Sequence, residues 1–155
     1  MVKTTFINSQ ENTTLKNIKI TGEWSKKVGN NGNANIVIKP AETVVIDGVL
    51  FDQTGDPYNM IEIGDWSDYE ANNKIKSITI SNVTTTTPLS NNAFSITGCA
   101  DDTVIIIKDC KFGKVSNPLR FSNVTNAKNV TIKFKNCEFT EWETSSPEYA
   151  GAVLL

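Results

Sequence analysis

Five segments of this chain repeat one pattern, and a repeat constrains the fold of the whole more tightly than any single motif. KNIKITGEW, ETVVIDGVLF, KSITISNVTT, DTVIIIKDCKF and KNVTIKFKNCEF each read as alternating apolar residues, a small or polar corner, then a further apolar pair. Aligned, they put Ile18, Val44, Ile78, Ile105 and Ile132 in one column and Ile20, Ile46, Ile80, Ile107 and Phe134 in the next, at steps of 26, 34, 27 and 27 residues. Beyond the corner stand Val49, Val83, Cys110 and Cys137, then Phe51, Thr85, Phe112 and Phe139. A second series is interleaved with the first, with apolar pairs Ile36/Ile38, Ile61/Ile63, Phe94/Ile96, Leu119/Phe121 and Val153/Leu155. Two series sharing one period describe a chain that returns to the same register on every turn, which is a solenoid.

The apolar period is two, and β-branched residues dominate it, so each turn presents strands rather than helices. An all-β, parallel β-helix of about five coils is expected, with neighbouring strands about 4.8 Å apart and a stack about 24 Å tall. The corners agree. Asn82, Asp109 and Asn136 hold one position, with Gly22 and Gly48 assigned to it in the first two coils. Asn, Asp and Gly are the residues that tolerate left-handed backbone. A second column, Asn59, Asn92 and Asn117, precedes the other strands, and stacked amides can hydrogen-bond from coil to coil.

The phrases NVTIKFKNCEF and TVIIIKDCKF, a strand followed by an N/D-C-x-F turn, resemble coils of the right-handed parallel β-helix superfamily of pectate lyases, polygalacturonases and phage tailspike and capsid-associated proteins. The resemblance covers residues 15–155 and is architectural, so it implies a single right-handed parallel β-helix domain and little about activity. Residues 1–14 are expected to form an N-terminal cap or anchoring arm.

Composition narrows the chemistry. The chain has 155 residues and a net charge of −2, which gives no footprint for nucleic acid. It has no histidine, the commonest general base and neutral metal ligand. Cys99, Cys110 and Cys137 form no metal-binding spacing and read as buried thiols. No cofactor or metal site is expected. No stretch has the length of a membrane span, and the start lacks the apolar core of a signal peptide.

Outward positions of the second series are expected to be Val37, Glu62, Ser95, Arg120 and Leu154, a solvated mixed-charge stripe with no paired carboxylates. In the first series Val45 and Ile106 flank Thr79 as outward apolar residues, positions that lie under a loop or a neighbouring subunit. Lys108, Lys133 and Lys135 form a basic patch that either attracts an anionic partner or keeps the sheet solvated. Two coils carry insertions, residues 64–74 and 140–149, which place Trp66 and Tyr69, and Trp142 and Tyr149, among acidic residues. Such aromatics either stack on sugar rings or fold back over the wall. Val153 and Leu155 end the sequence in a core strand, so either the chain is a fragment of a longer protein or its last coil is covered by a partner or by another copy, and both readings imply association.

The expectation is therefore a non-enzymatic structural or adhesive module. The resemblance points to a phage virion component of head or tail, made in the host cytoplasm without a signal peptide. It would assemble with itself or with other virion proteins and bind host-surface glycan, with no nucleic acid and no membrane insertion. Candidate ligand or partner contacts are Trp66, Tyr69, Trp142, Tyr149, Glu62 and Arg120; candidate oligomer contacts are Val45, Ile106, Val153 and Leu155. No catalytic residue is assigned. The alternative is a carbohydrate-active enzyme, a lyase or hydrolase, or a fragment of one.

Overall fold

The structure, a computed structural model of the chain, describes residues 5–8, 11–24, 34–55, 59–86, 89–113, 115–121, 127–140 and 153–154. Strands β1 (Thr5–Ile7), β3 (Ala34–Ile38), β5 (Asn59–Ile63), β8 (Leu89–Ile96), β11 (Val115–Phe121) and β14 (Val153–Leu154) stack in that order as one parallel sheet. Between them run β2 (Asn12–Trp24) and β4 (Thr43–Gly55), each turning a corner without breaking. In later coils the same path is split into β6 (Ser77–Ser81) and β7 (Thr84–Thr85), β9 (Val104–Lys108) and β10 (Lys111–Gly113), and β12 (Thr131–Lys135) and β13 (Glu138–Thr140). All pairings are parallel, so the molecule is a parallel β-solenoid with three walls. It makes about four turns, slightly fewer than the five coils expected. The five repeats form successive rungs, and the chain returns only between them.

The register of the second series is as expected: Ile36 lies opposite Ile61, Ile61 opposite Phe94, Phe94 opposite Leu119 and Leu119 opposite Val153. Thr5–Ile7, inside the expected arm 1–14, continues that sheet by pairing with Ile36–Ile38. In the first series four rungs align as expected, but the first slips. Leu15, not Ile20, lies opposite Ile46, and Thr13, not Ile18, opposite Val44; Ile18 and Ile20 belong beyond the corner, opposite Val49 and Phe51. The corner partner of Gly48 is therefore Asn17, and Gly22 lies five residues further on, opposite Gln53.

Backbone angles account for this register. Asn17, Gly48, Asn82, Asp109 and Asn136 all have φ between 50° and 69°, the left-handed region that turns the chain between walls. At Gly48 a side chain is also excluded by space, because an added Cβ would meet Asn17 Oδ1 at 2.8 Å. The corners are tied along the stack: Asn82 Nδ2 donates to Asp47 Oδ1 at 2.7 Å and Asn136 Nδ2 to Asp109 Oδ1 at 2.8 Å.

Inward residues fill the stack as one continuous core. Phe51 and Phe94 meet edge to face at 6.4 Å, and Phe112 stacks on Phe139 at 5.7 Å, one rung apart. Cys99 and Cys110 are buried free thiols, and Cys137 is half-buried in the last rung. Burial pushes the Cys110 thiol up to about 12, so it behaves as a small apolar filler.

Candidate functional site

The insertion between β5 and β6 is the built feature of the surface. β5 ends at Gly64, whose φ of 119° redirects the chain and whose missing Cβ leaves room for Asn72 Oδ1 and the Thr97 side chain, each within 2.9 Å of where it would lie. Asn72, in the short 3₁₀ helix Glu70–Lys74, is buried and clamps the loop base in both directions. Its Oδ1 accepts from the Asp65 backbone N–H at 2.7 Å, and its Nδ2 donates to the Asp65 carbonyl at 3.1 Å.

Asp65 is the second anchor. Oδ1 accepts from the backbone and hydroxyl of Ser67, and Oδ2 from Lys39 Nζ at 2.6 Å. The Lys39 ammonium and the Ser67 donors hold the Asp65 carboxyl down to about 2. Asp68, just before the helix, accepts from the Ala71 N–H at 3.1 Å. A loop so tied presents its aromatic residues in fixed positions. Trp66 and Tyr69 meet edge to face at 6.3 Å, 38% and 49% exposed. With Val104 they are the exposed large apolar residues among those described.

Glu62 lies beneath this pair, and here the expected solvated stripe needs correction. Val37, Glu62 and Ser95 are in register on adjacent strands but are 3%, 4% and 0% exposed. Arg120 lies opposite Ser95 and is half-buried, two strands from Glu62. The Glu62 carboxylate accepts from Asn59 Nδ2 at 3.1 Å, and the Trp66 side chain lies close enough to favour its charged form. Burial raises its pKa, with those two donors opposing the shift.

Asn59 also terminates a buried amide ladder. Asn117 Nδ2 donates to Asn92 Oδ1 at 3.0 Å and Asn92 Nδ2 to Asn59 Oδ1 at 2.9 Å. The residue opposite Asn59 on the other side is Ala34, which has no amide, so the ladder delivers its last donor to Glu62. Sequence reading found the Asn column and the aromatic loop separately. That Glu62 joins them is a tertiary fact that no spacing encodes.

The other candidates are not brought to this site. Val45 and Ile106 sit on either side of Thr79 on the outer face of β4, β6 and β9, half-buried. Lys108, Lys133 and Lys135 are exposed on strands β9 and β12. Val153 is paired within β14, with its side chain outside the described set, and Trp142, Tyr149 and Leu155 lie outside the described residues. Among the described residues no group of three or more acidic or thiol side chains is placed to hold a metal ion, and no helix is long and apolar enough to cross a membrane.

No protein-family model, no curated protein and no solved structure matches the chain. The parallel β-solenoid therefore stands on this chain's own geometry.

Proposed function

We propose that this chain is a structural and adhesive β-solenoid module, a phage-type component of a virion head or tail that assembles with itself or other virion proteins and binds host-surface glycan. The observation that carries the adhesive part is the Trp66–Tyr69 pair, exposed on a loop fixed by Asn72 and Asp65 against a rigid wall. Aromatic residues held outward on a rigid scaffold are recognition elements. Assembly is supported by the last rung. Among the described residues β12 and β13 have a strand neighbour on one side only, and their core-facing Ile132, Phe134 and Phe139 are half-buried. Open strand edges of this kind pair with further chain. The virion assignment rests on the resemblance of the coil motifs.

Light scattering on the purified chain, with and without residues 150–155, tests assembly. An oligomer that falls to monomer on truncation supports it, and a monomer in both forms refutes it.

One observation favours the enzyme reading instead. Burial raises the pKa of Glu62 while Lys39 and Ser67 depress that of Asp65, three residues on, so two neighbouring carboxyls sit in environments that push them apart. Glu62→Gln with Asp65→Asn would then abolish cleavage of any polysaccharide the native protein cuts, with assembly unchanged.

A further inference from the structure

Glu62 is the fully buried charge of its column, where Arg120, two strands away, is only half-buried. Its neighbours Val37 and Ser95 carry no charge, and a buried carboxylate costs stability wherever it is placed. At this rung the cost coincides with the exposed aromatic pair, because the Trp66 side chain lies beside the buried carboxylate and favours its charged form. An indole N–H drawn toward a buried carboxylate favours one orientation of the ring and so of its exposed face. The same carboxylate accepts from Asn59, the end of the amide ladder, so its position is fixed from within the wall.

The geometry points to a stacking platform for a neutral pyranose ring, formed by Trp66 and Tyr69 and oriented by Glu62 as a positioning residue. This rests on the adhesive reading above and adds the ligand class. An aromatic face is electron-rich and attracts the weakly positive C–H face of a sugar. The acidic side chains Asp68 and Glu70 beside the pair are exposed acceptors for sugar hydroxyls. They also repel uronate or sulfate groups: Lys74, at the far end of the short helix, is the one cation of residues 64–74 against three acids, and Lys39 is engaged by Asp65 at 2.6 Å.

Affinity gel electrophoresis tests this, with neutral polymers (glucan, mannan, galactan) and acidic ones (polygalacturonate, hyaluronate) cast separately in the gel. Retardation by at least one neutral polymer and by neither acidic one is expected. Trp66→Ala should weaken retardation about tenfold. Glu62→Leu should weaken it severalfold at unchanged assembly, whereas Glu62→Gln, whose carbonyl can accept the indole N–H, should retain it. A second readout is the Trp66 indole N–H resonance, which should move when Glu62 is protonated and lose that response in Glu62→Gln.

Retardation by an acidic polymer, lost in Trp66→Ala, overturns the ligand class and leaves the adhesive reading standing. Retardation that survives both Trp66→Ala and Tyr69→Ala overturns the platform, again leaving adhesion in place. Retardation lost in Trp66→Ala but untouched in Glu62→Leu overturns the role of Glu62. No retardation of the native protein by any polymer overturns both the platform and the adhesive reading.

Discussion

Asn92 Nδ2 donates to Asn59 Oδ1 at 2.9 Å across neighbouring strands, and both side chains are buried. Because Asn117 donates to Asn92 and Asn59 to Glu62, the donors all run in one sense, and each bond polarises the next.

Breaking the ladder at its centre removes two of these bonds together. Asn92→Ala is expected to lower stability by about 2–3 kcal/mol, since a buried polar group deprived of its partner costs about 1–3 kcal/mol. Denaturant unfolding measures it; a loss below about 0.5 kcal/mol would mean that water replaces the ladder at no cost.

The corners make a backbone prediction. At φ 53° Asn82 occupies a region that a β-branched residue enters only under strain. Both Asn82→Val and Asn82→Gly lose the bond to Asp47, but only valine adds left-handed strain, so Asn82→Val should be the less stable of the two by about 1–2 kcal/mol. Equal thermal shifts for the two variants would show that conformation does not matter at this corner.

Glu62 and Asp65 lie three residues apart and titrate in opposite directions. The folded pKa of Glu62 is raised above its ordinary 4.5, so protonation favours the folded state. That contribution is complete below 4.5 and lost as pH rises through the folded value. Glu62→Gln should therefore be more stable than the native protein at pH 7, with the gain closing below pH 4.5. Urea midpoints at pH 7 and pH 4 decide this, and a variant less stable at both would show that the charged form is preferred.

For Asp65 the sign is opposite. Its folded pKa lies at about 2 against an ordinary 3.8, so its contribution is present above 3.8 and lost as pH falls through about 2. Lys39→Met removes the largest cause of the depression and should move the acid transition of the loop toward 3.8. Carboxyl chemical shifts of Asp65 would report it directly.

Cysteine reactivity gives a test of packing. With its thiol at about 12 and its side chain 1% exposed, Cys110 should resist iodoacetamide at pH 8 in the native protein and react at once in urea. Cys99, also buried and raised, should behave alike. Mass spectrometry of the alkylated peptides would show any native labelling.

Much of this fold was readable because a two-residue apolar period and left-handed corners are local properties. Ile46, Ile80, Ile107 and Phe134 announce their column by spacing alone. The first rung is not legible in the same way, because its core position opposite Val44 is Thr13, a polar residue that breaks the alternation, while Ile18-x-Ile20 imitates the motif from beyond the corner. The Trp66 loop was legible as an insertion with aromatics. The burial of Glu62 was not, because a strand's alternation says which side a residue faces and nothing about what lies on top of it. The loop that covers Glu62 follows it by only a few residues, yet the Asn72 clamp that folds it back depends on Gly64 and Thr97 in the next strand's turn.

The spacing between equivalent core residues varies, from Leu15 to Ile46, Ile80, Ile107 and Phe134, while the left-handed corner beside each is unchanged. Coil length and coil rise are therefore independent. An excursion such as residues 64–74 adds residues at right angles to the axis and nothing along it, so the rungs on either side stay in register. The molecule is in this sense a display scaffold: one loop can be lengthened, exchanged or given a new specificity by changes in its own tip, and the core need not be recomposed to accept it.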